Sequence, residues 1–294
     1  DFDGKEILCA EIEEICVTTE SLSLDDYYEC RSFALTEGLF FQDRILIELY
    51  RFLENFDIKP SELLLLLHNN RRKFSEKLTN LYSSFDHDTE TELWDSKEKL
   101  KKFIKLDRTA IDRYIKGELG MNVLFRHRAI STLNLVDKIH EESFKIAEVL
   151  LKNKNPDAFS EYYDYLLELK KFSTLRKKNV FDYIQRYKFE FNFDFKKLME
   201  EEFKGLPEKL DNPMKAVFFT NNDKKTMIKK QIIERGSNVD GIGKILSRTS
   251  VSMLMRDVEF DNTKHKRTRK EELAKEIQIL ERDVGINQSP GEFV

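Results

Sequence analysis

Glycine and proline are scarce in this sequence, 10 and 5 of 294 residues, where ordinary globular chains carry about 7% and 5%. That shortage excludes a collagen repeat or a Pro-rich linker and argues against all-β folds with frequent tight turns. Phosphate-cradling and nucleophile-elbow signatures are missing as well: there is no G-x-G-x-x-G, no P-loop and no G-x-S-x-G. Cysteine is sparse. Cys9, Cys16 and Cys30 match neither a disulfide framework nor a zinc or redox spacing, and read as small buried hydrophobes in a reduced, cytoplasmic setting. The longest apolar run, Leu63 to Leu67, falls far short of the roughly 20 residues of a membrane span, so no membrane partner is expected. Charge of one sign is missing too: 50 Lys and Arg nearly cancel 54 Asp and Glu, leaving −4. A globally basic nucleic-acid binder and an acidic disordered tail are both disfavoured.

What the chain does have is charge and rings: 35% charged residues, 40% hydrophobic, with 23 Phe and 10 Tyr. These predict a mainly α protein, an antiparallel helical array with a few short strands and a small C-terminal α/β module. Four segments follow. Residues 1–20 read as strand-like, from the alternation in EILCAEIEEICVT. Their acidic, patterned opening without a signal peptide or initiator Met gives the expectation of a piece of a longer polypeptide.

Residues 21–178 read as helical. Ser23 is the expected N-cap of a long helix running to Phe56, in which Gly38 allows a kink or a close neighbour. Pro60 opens a second helix through Tyr82; SSFDHDTETE reads as a loop. Helices are expected over 92–103, 108–116 and 120–152, then from Asn155-Pro156 to Leu175. Residues 179–258 form the α/β module. In it Tyr187, Phe189, Phe191, Phe193 and Phe195 alternate with polar residues as a strand packed on helices. KAVFFT is a second strand, Asn212-Pro213 a breaker, and a helix ends at an αL Gly236. Short helices follow over 240–246 and 250–257. Residues 259–294 read as an exposed amphipathic helix, with Leu273, Ile277, Leu280 and Val284 on one side, and a tail.

No catalytic or metal-ligating residue is assigned, and cofactor-binding positions are left open. His140-Glu141-Glu142 lacks the paired histidines of a zinc-protease helix. Asp86-His87-Asp88 has metal-binding residue types but sits in the expected loop, without further ligands. Glu13-Glu14 and Glu200-Glu201-Glu202 are ordinary in so acidic a chain. The segment 223–256 holds eight Lys or Arg against three acids. Its helix–turn–helix rhythm offers one alternative, a nucleic-acid-binding regulator whose affinity would fall with salt and on neutralising Lys229 and Lys230. A helical scaffold recruiting a partner through residues 264–284 is the other.

Two stretches carry a family resemblance. EEICVTTE with SLSLDDYYECRSFALTEGLFFQDRILIELYRFL resembles the region after the catalytic barrel in cobalamin-binding radical SAM proteins. Gly236 followed by GIGKILSRTSVSMLMRDVEF is similar to the C-terminal end of those proteins. The resemblance covers about residues 5–85 and 180–258. It implies an upstream barrel with C-x3-C-x2-C holding a [4Fe-4S] cluster, S-adenosylmethionine as co-substrate and a possible cobalamin domain. No cysteine triplet of that form occurs here, so none of those cofactors is expected in this span. This chain would be a C-terminal accessory region, non-catalytic alone, partnered by the barrel of the same polypeptide. The 27–56 helix would pack on that barrel and the later helices would shape a substrate pocket.

Overall fold

The computed structural model describes Gly4, residues 12–116 and residues 119–261. The fold is mainly α with one small antiparallel sheet. In chain order the elements are α1 (Leu24–Phe40), α2 (Ile47–Glu54), α3 (Pro60–Asn70), α4 (Glu76–Thr91), α5 (Lys97–Leu106), α6 (Ala110–Lys116), α7 (Val123–Asn134), α8 (Val136–Lys154) and α9 (Pro156–Lys177). Then come β1 (Tyr187–Phe193), α10 (Phe195–Glu200), β2 (Lys209–Phe219), α11 (Asn222–Arg235), α12 (Val239–Leu246), α13 (Val251–Leu254) and β3 (Asp257–Asp261).

Ser23 caps α1 as expected. Its hydroxyl accepts from the Asp26 N–H at 3.1 Å, and Asp26 Oδ2 accepts from the Ser23 N–H at 3.0 Å, a capping box. The expected long helix is nevertheless two. Asp43 and Arg44 adopt φ of 61° and 60°, which ends α1 and lets α2 set off in a new direction. The cause lies across the helix. A Cβ on Gly38 would stand 3.2 Å from Arg128 Cδ, so the bare glycine lets Arg128 lie over α1 and bond Asp43. Gly38 thus serves as the close-approach position, and the kink falls five residues later.

Other boundaries move for equally local reasons. The helix from Pro60 stops at Asn70 because Phe74 is extended (ψ 171°) and the Ser75 N–H donates to Glu142 Oε1 at 2.8 Å. The segment read as a loop lies inside α4. Its buried Leu78, Leu81, Tyr82, Phe85 and Thr89 continue a helical stripe through polar neighbours. α5 starts at Lys97 behind its Ser96 cap. The 120–152 helix breaks at Leu135 (φ −126°, ψ 9°) into α7 and α8. α8 and α9 then form a hairpin about Asn155, whose side chain accepts from the Ala158 N–H at 3.0 Å.

The sheet runs β1-β2-β3, antiparallel throughout. β1 and β2 pair from Tyr187↔Phe218 to Phe191↔Met214, then shift to Phe193↔Lys209. Pro213 therefore sits in the irregular stretch of β2, where its missing N–H breaks no regular ladder bond. β3, absent from the expected elements, pairs Val258 with Phe218 and Phe260 with Ala216; the helix expected over 250–257 shrinks to the four residues of α13. Gly236 has positive φ (91°) but an extended ψ of 163°, so it ends α11 without being αL.

The aromatic alternation behaves as a half-buried strand. Phe191 and Phe193 face inward, and Phe172 of α9 meets Phe195 at 4.5 Å, Phe218 at 5.4 Å and Phe191 at 5.5 Å between ring centres. One buried apolar cluster runs from Leu35 in α1 to Leu254 in α13, so the helices and the sheet module share a core. Among residues 12–20 no strand forms. The rest of the strand-like segment, including Cys9, and the amphipathic helix placed beyond residue 261 lie outside the described residues.

Candidate functional site

Titratable side chains gather in two places. The first is in the middle of the helical core. Glu48 of α2 accepts from Arg176 Nη1 at 2.8 Å, from Lys177 Nζ and from Ser173 Oγ at 3.0 Å. Lys177 also donates to Ser173 at 2.7 Å, and Ser173 Oγ lies 3.0 Å from His140 Nε2. Glu48, Ser173, Lys177 and His140 are each 0% exposed. Burial alone would raise the Glu48 pKa, but the charges of Lys177 and Arg176 outweigh it and hold the carboxyl low. Burial, with Arg176 adding repulsion, pulls Lys177 down despite Glu48.

A serine beside a histidine and a carboxylate invites comparison with a hydrolytic triad, and the connectivity answers it. A triad's carboxylate orients the histidine through the ring nitrogen remote from the serine. Here His140 Nδ1 is taken by the Val136 carbonyl at 2.8 Å, and Glu48 contacts the serine itself. Ser173 has one proton to share between Glu48 and His140. With no solvent path to the hydroxyl, this cluster is a locked polar core.

The second gathering is open. Asp25, Tyr28, Glu29 and Ser32 follow one face of α1, and Ser83, Asp86, His87 and Glu90 follow one face of α4; both sets have i, i+3, i+4, i+7 spacing. With Arg72 and Thr89 they line a recess of about 380 Å³. Four carboxylates face it against one guanidinium, and Arg72 is held by Asp86 at 2.8 Å. Glu29 accepts from Arg71 at 2.6 Å and pairs with His68 Nε2 at 2.9 Å.

Behind it His68 Nδ1 meets the Thr36 hydroxyl at 2.8 Å, and Thr36 meets Tyr82 OH at 2.8 Å. Burial pushes the His68 pKa down. The neutral ring satisfies both neighbours when Nε2–H donates to Glu29 and Nδ1 accepts from Thr36. Burial would raise the Glu29 pKa, but the His68 hydrogen bond and the Arg71 charge bring it below its ordinary value. Two more polar groups lie deeper. Ser32 and Thr89 are 2% and 1% exposed, and neither hydroxyl has a hydrogen-bond partner.

The sequence-level candidates scatter over these surroundings. Asp86 and His87 reach the recess, whereas Asp88 turns toward His127, 3.7 Å away. Among the described residues, no group of three or more His, Cys, Asp or Glu could hold a metal ion. Cys16 and Cys30 are exposed thiols rather than buried hydrophobes: Cys16 lies in a segment with no buried residue, where Ile15 too is exposed, and Cys30 lies on the outer face of α1.

In the basic segment, Arg256 is fully buried. Its guanidinium bonds the carbonyls of Gln185 and Asn179 at 2.8 Å and Asp182 at 3.1 Å, and lies over Tyr187 at 5.0 Å. Lys224 pairs with Asp257 at 2.8 Å. α12 turns Ile242, Ile245 and Leu246 into the core beside α7. Lys229 and Lys230 remain exposed.

No run of charge along the chain marks the recess, because its lining residues are spaced by helical turns. The usable signal was a polar stripe at helical spacing in α1 and its counterpart in α4. Among the described residues, no helix is long and apolar enough to cross a membrane. Comparison with protein families, curated proteins and solved structures finds no match to this chain.

Proposed function

We propose that this chain is a non-catalytic accessory region of a cobalamin-type radical SAM enzyme, contributing a wall of the substrate pocket beside the catalytic barrel. The observation carrying this reading is the position of the recess. The Ser- and Thr-rich segment that bears the family resemblance leads through Thr19 and Ser23 directly into α1. The first two turns of α1 then supply Asp25, Tyr28, Glu29 and Ser32 to the recess. The triad-like residues, by contrast, are sealed in the core, which suits a region that shapes a pocket and leaves the chemistry elsewhere.

The test is the coding sequence immediately upstream. The expected result is an open frame containing C-x3-C-x2-C; an open frame without it overturns the reading. This chain by itself, reconstituted anaerobically with iron and sulfide, is expected to show no visible iron–sulfur absorption. A stable cluster on it would overturn the non-catalytic assignment.

A further inference from the structure

We infer that α5 and the turn before it form a docking surface for an anionic lipid bilayer, with the helix lying flat among the headgroups. α5 is an amphipathic helix with no core to face. Leu100, Phe103 and Ile104 share one side at i, i+3, i+4 spacing, yet no residue of α5 is buried. None of Trp94, Leu100, Phe103, Ile104 and Leu106 belongs to the apolar cluster that runs from α1 to α13. α6, against which α5 packs, adds no residue to that cluster either. Trp94 lies on Phe103, ring centres 5.0 Å apart, and Leu106 follows Phe103 by one turn. Trp94 is nevertheless 45% exposed and Leu106 73%. Together they make an apolar edge that the protein leaves uncovered.

The charge around this edge selects its occupant. Residues 97–108 hold six Lys or Arg against two acids, in a chain of net charge −4. Lys99 stands one turn before Phe103 and Lys102 one turn before Leu106, so ammonium groups border the apolar edge. Asp107 is engaged by Thr109 and Arg113, and Lys97 and Lys99 pair with Glu14 and Asp95. Among the described residues, the exposed Lys101, Lys102, Lys105 and Arg108 make no ion pair. A bilayer with anionic headgroups satisfies both sides of such a helix at once. Lysine stems lie along the hydrocarbon boundary, their ammonium groups reach the headgroups, and a tryptophan sits at headgroup level. A nucleic acid would meet the lysines and leave Trp94 and Leu106 in water. An acidic protein would need a groove shaped to this edge, a match that a bilayer does not require. The lack of a helix able to cross a membrane concerns spans only, and a helix in the interface plane needs none. The expectation of no membrane partner is revised to that extent.

Trp94 is the one tryptophan of the chain, so its emission reports on this surface directly. The experiment titrates the chain with phosphatidylcholine vesicles containing about one third phosphatidylserine, and with phosphatidylcholine vesicles alone. Trp94 fluorescence and co-sedimentation are the two readouts. Anionic vesicles are expected to bind the chain and move the emission to shorter wavelength, and neutral vesicles to do neither. Lys101→Gln with Lys102→Gln should weaken binding about tenfold to thirtyfold. Leu106→Ala should weaken it about threefold to tenfold. All three positions are exposed, so the fold does not rest on these side chains. Binding without a shift of the Trp94 emission, or undiminished binding by Leu106→Ala, would overturn the inference, because the contact would then be electrostatic alone. Equal binding to the two kinds of vesicle, or binding to neither, would overturn it as well.

Discussion

The Glu48 cluster and the α1–α4 recess use the same chemistry in opposite surroundings. Each holds a carboxylate between two basic side chains: Glu48 with the charged Arg176 and Lys177, Glu29 with the charged Arg71 and the neutral His68. Each has a serine beside the charge network. In the core, Glu48 and Lys177 are shut away from water, and every kilocalorie of desolvation must be offset by contacts inside the protein. At the recess, the Glu29 side chain is 57% exposed, and water shares the work of solvating it. The contrast shows why residue types do not identify a site. The cluster that looks catalytic cannot meet a substrate, and the one that looks like scattered surface charge can.

The largest expected effect would break the comparison if it failed. Glu48→Ala leaves Lys177 buried without its counter-ion and should cost about 3–5 kcal/mol in denaturant unfolding. Replacing both partners, Glu48→Leu with Lys177→Met, should recover much of that loss, because the uncompensated charge is then gone. A loss below about 1 kcal/mol for Glu48→Ala would mean that water reaches the cluster, and the distinction between sealed and open would fall.

His140 sharpens the same point through pH. Burial, then the Lys177 charge, lowers its pKa from 6.5 to about 4. The unfolded chain therefore binds a proton that the native protein refuses between those two values. The stabilising contribution is complete above pH 6.5 and is lost as the pH falls toward 4. The gap corresponds to about 3 kcal/mol. Glu48, held low in the folded state, loses its own contribution at still lower pH, as the carboxyl is forced to protonate. Unfolding measured from pH 7 to pH 4 should show a steep fall in stability, reduced in His140→Gln. An equal slope in that variant would place the titrating group elsewhere.

Much of this architecture was legible because local physics acts alone there. Ser23 before Leu24-Asp25-Asp26, Asn155 before Pro156, and Tyr187 to Phe193 in strict alternation each specify an element from a handful of neighbours. Boundaries failed where a distant residue decides. Arg128 crossing Gly38 to reach Asp43 ends α1, and Glu142 gripping the Ser75 N–H separates α3 from α4. β3 was hidden because its five residues form a strand only against β2, 42 positions away at the Val217↔Glu259 pair. The recess was invisible for a related reason. Its two stripes are each unremarkable, and only the packing of α1 on α4 turns them toward each other. Arg256 inverts the usual expectation: a residue counted toward a basic surface is wrapped in backbone carbonyls, which its neighbours' side-chain chemistry does not announce.

The smallest expected effect is the finest test, a matched pair of serine-to-alanine changes. Ser173 accepts from Lys177 and shares its proton with Glu48 and His140. Removing its hydroxyl leaves the His140 Nε2 facing no partner and thins the contacts around two buried charges, at a cost of about 1–3 kcal/mol. Ser32 is equally buried but its hydroxyl bonds nothing. Ser32→Ala should change stability by less than about 0.5 kcal/mol, or raise it, because the methyl group needs no partner that the hydroxyl lacked. Equal losses in the two variants would mean that the Ser32 hydroxyl has a structural role despite bonding nothing. A clear difference, read from denaturation midpoints under the same conditions, shows that the Ser173 hydroxyl holds the core network together while the Ser32 hydroxyl adds nothing to the fold.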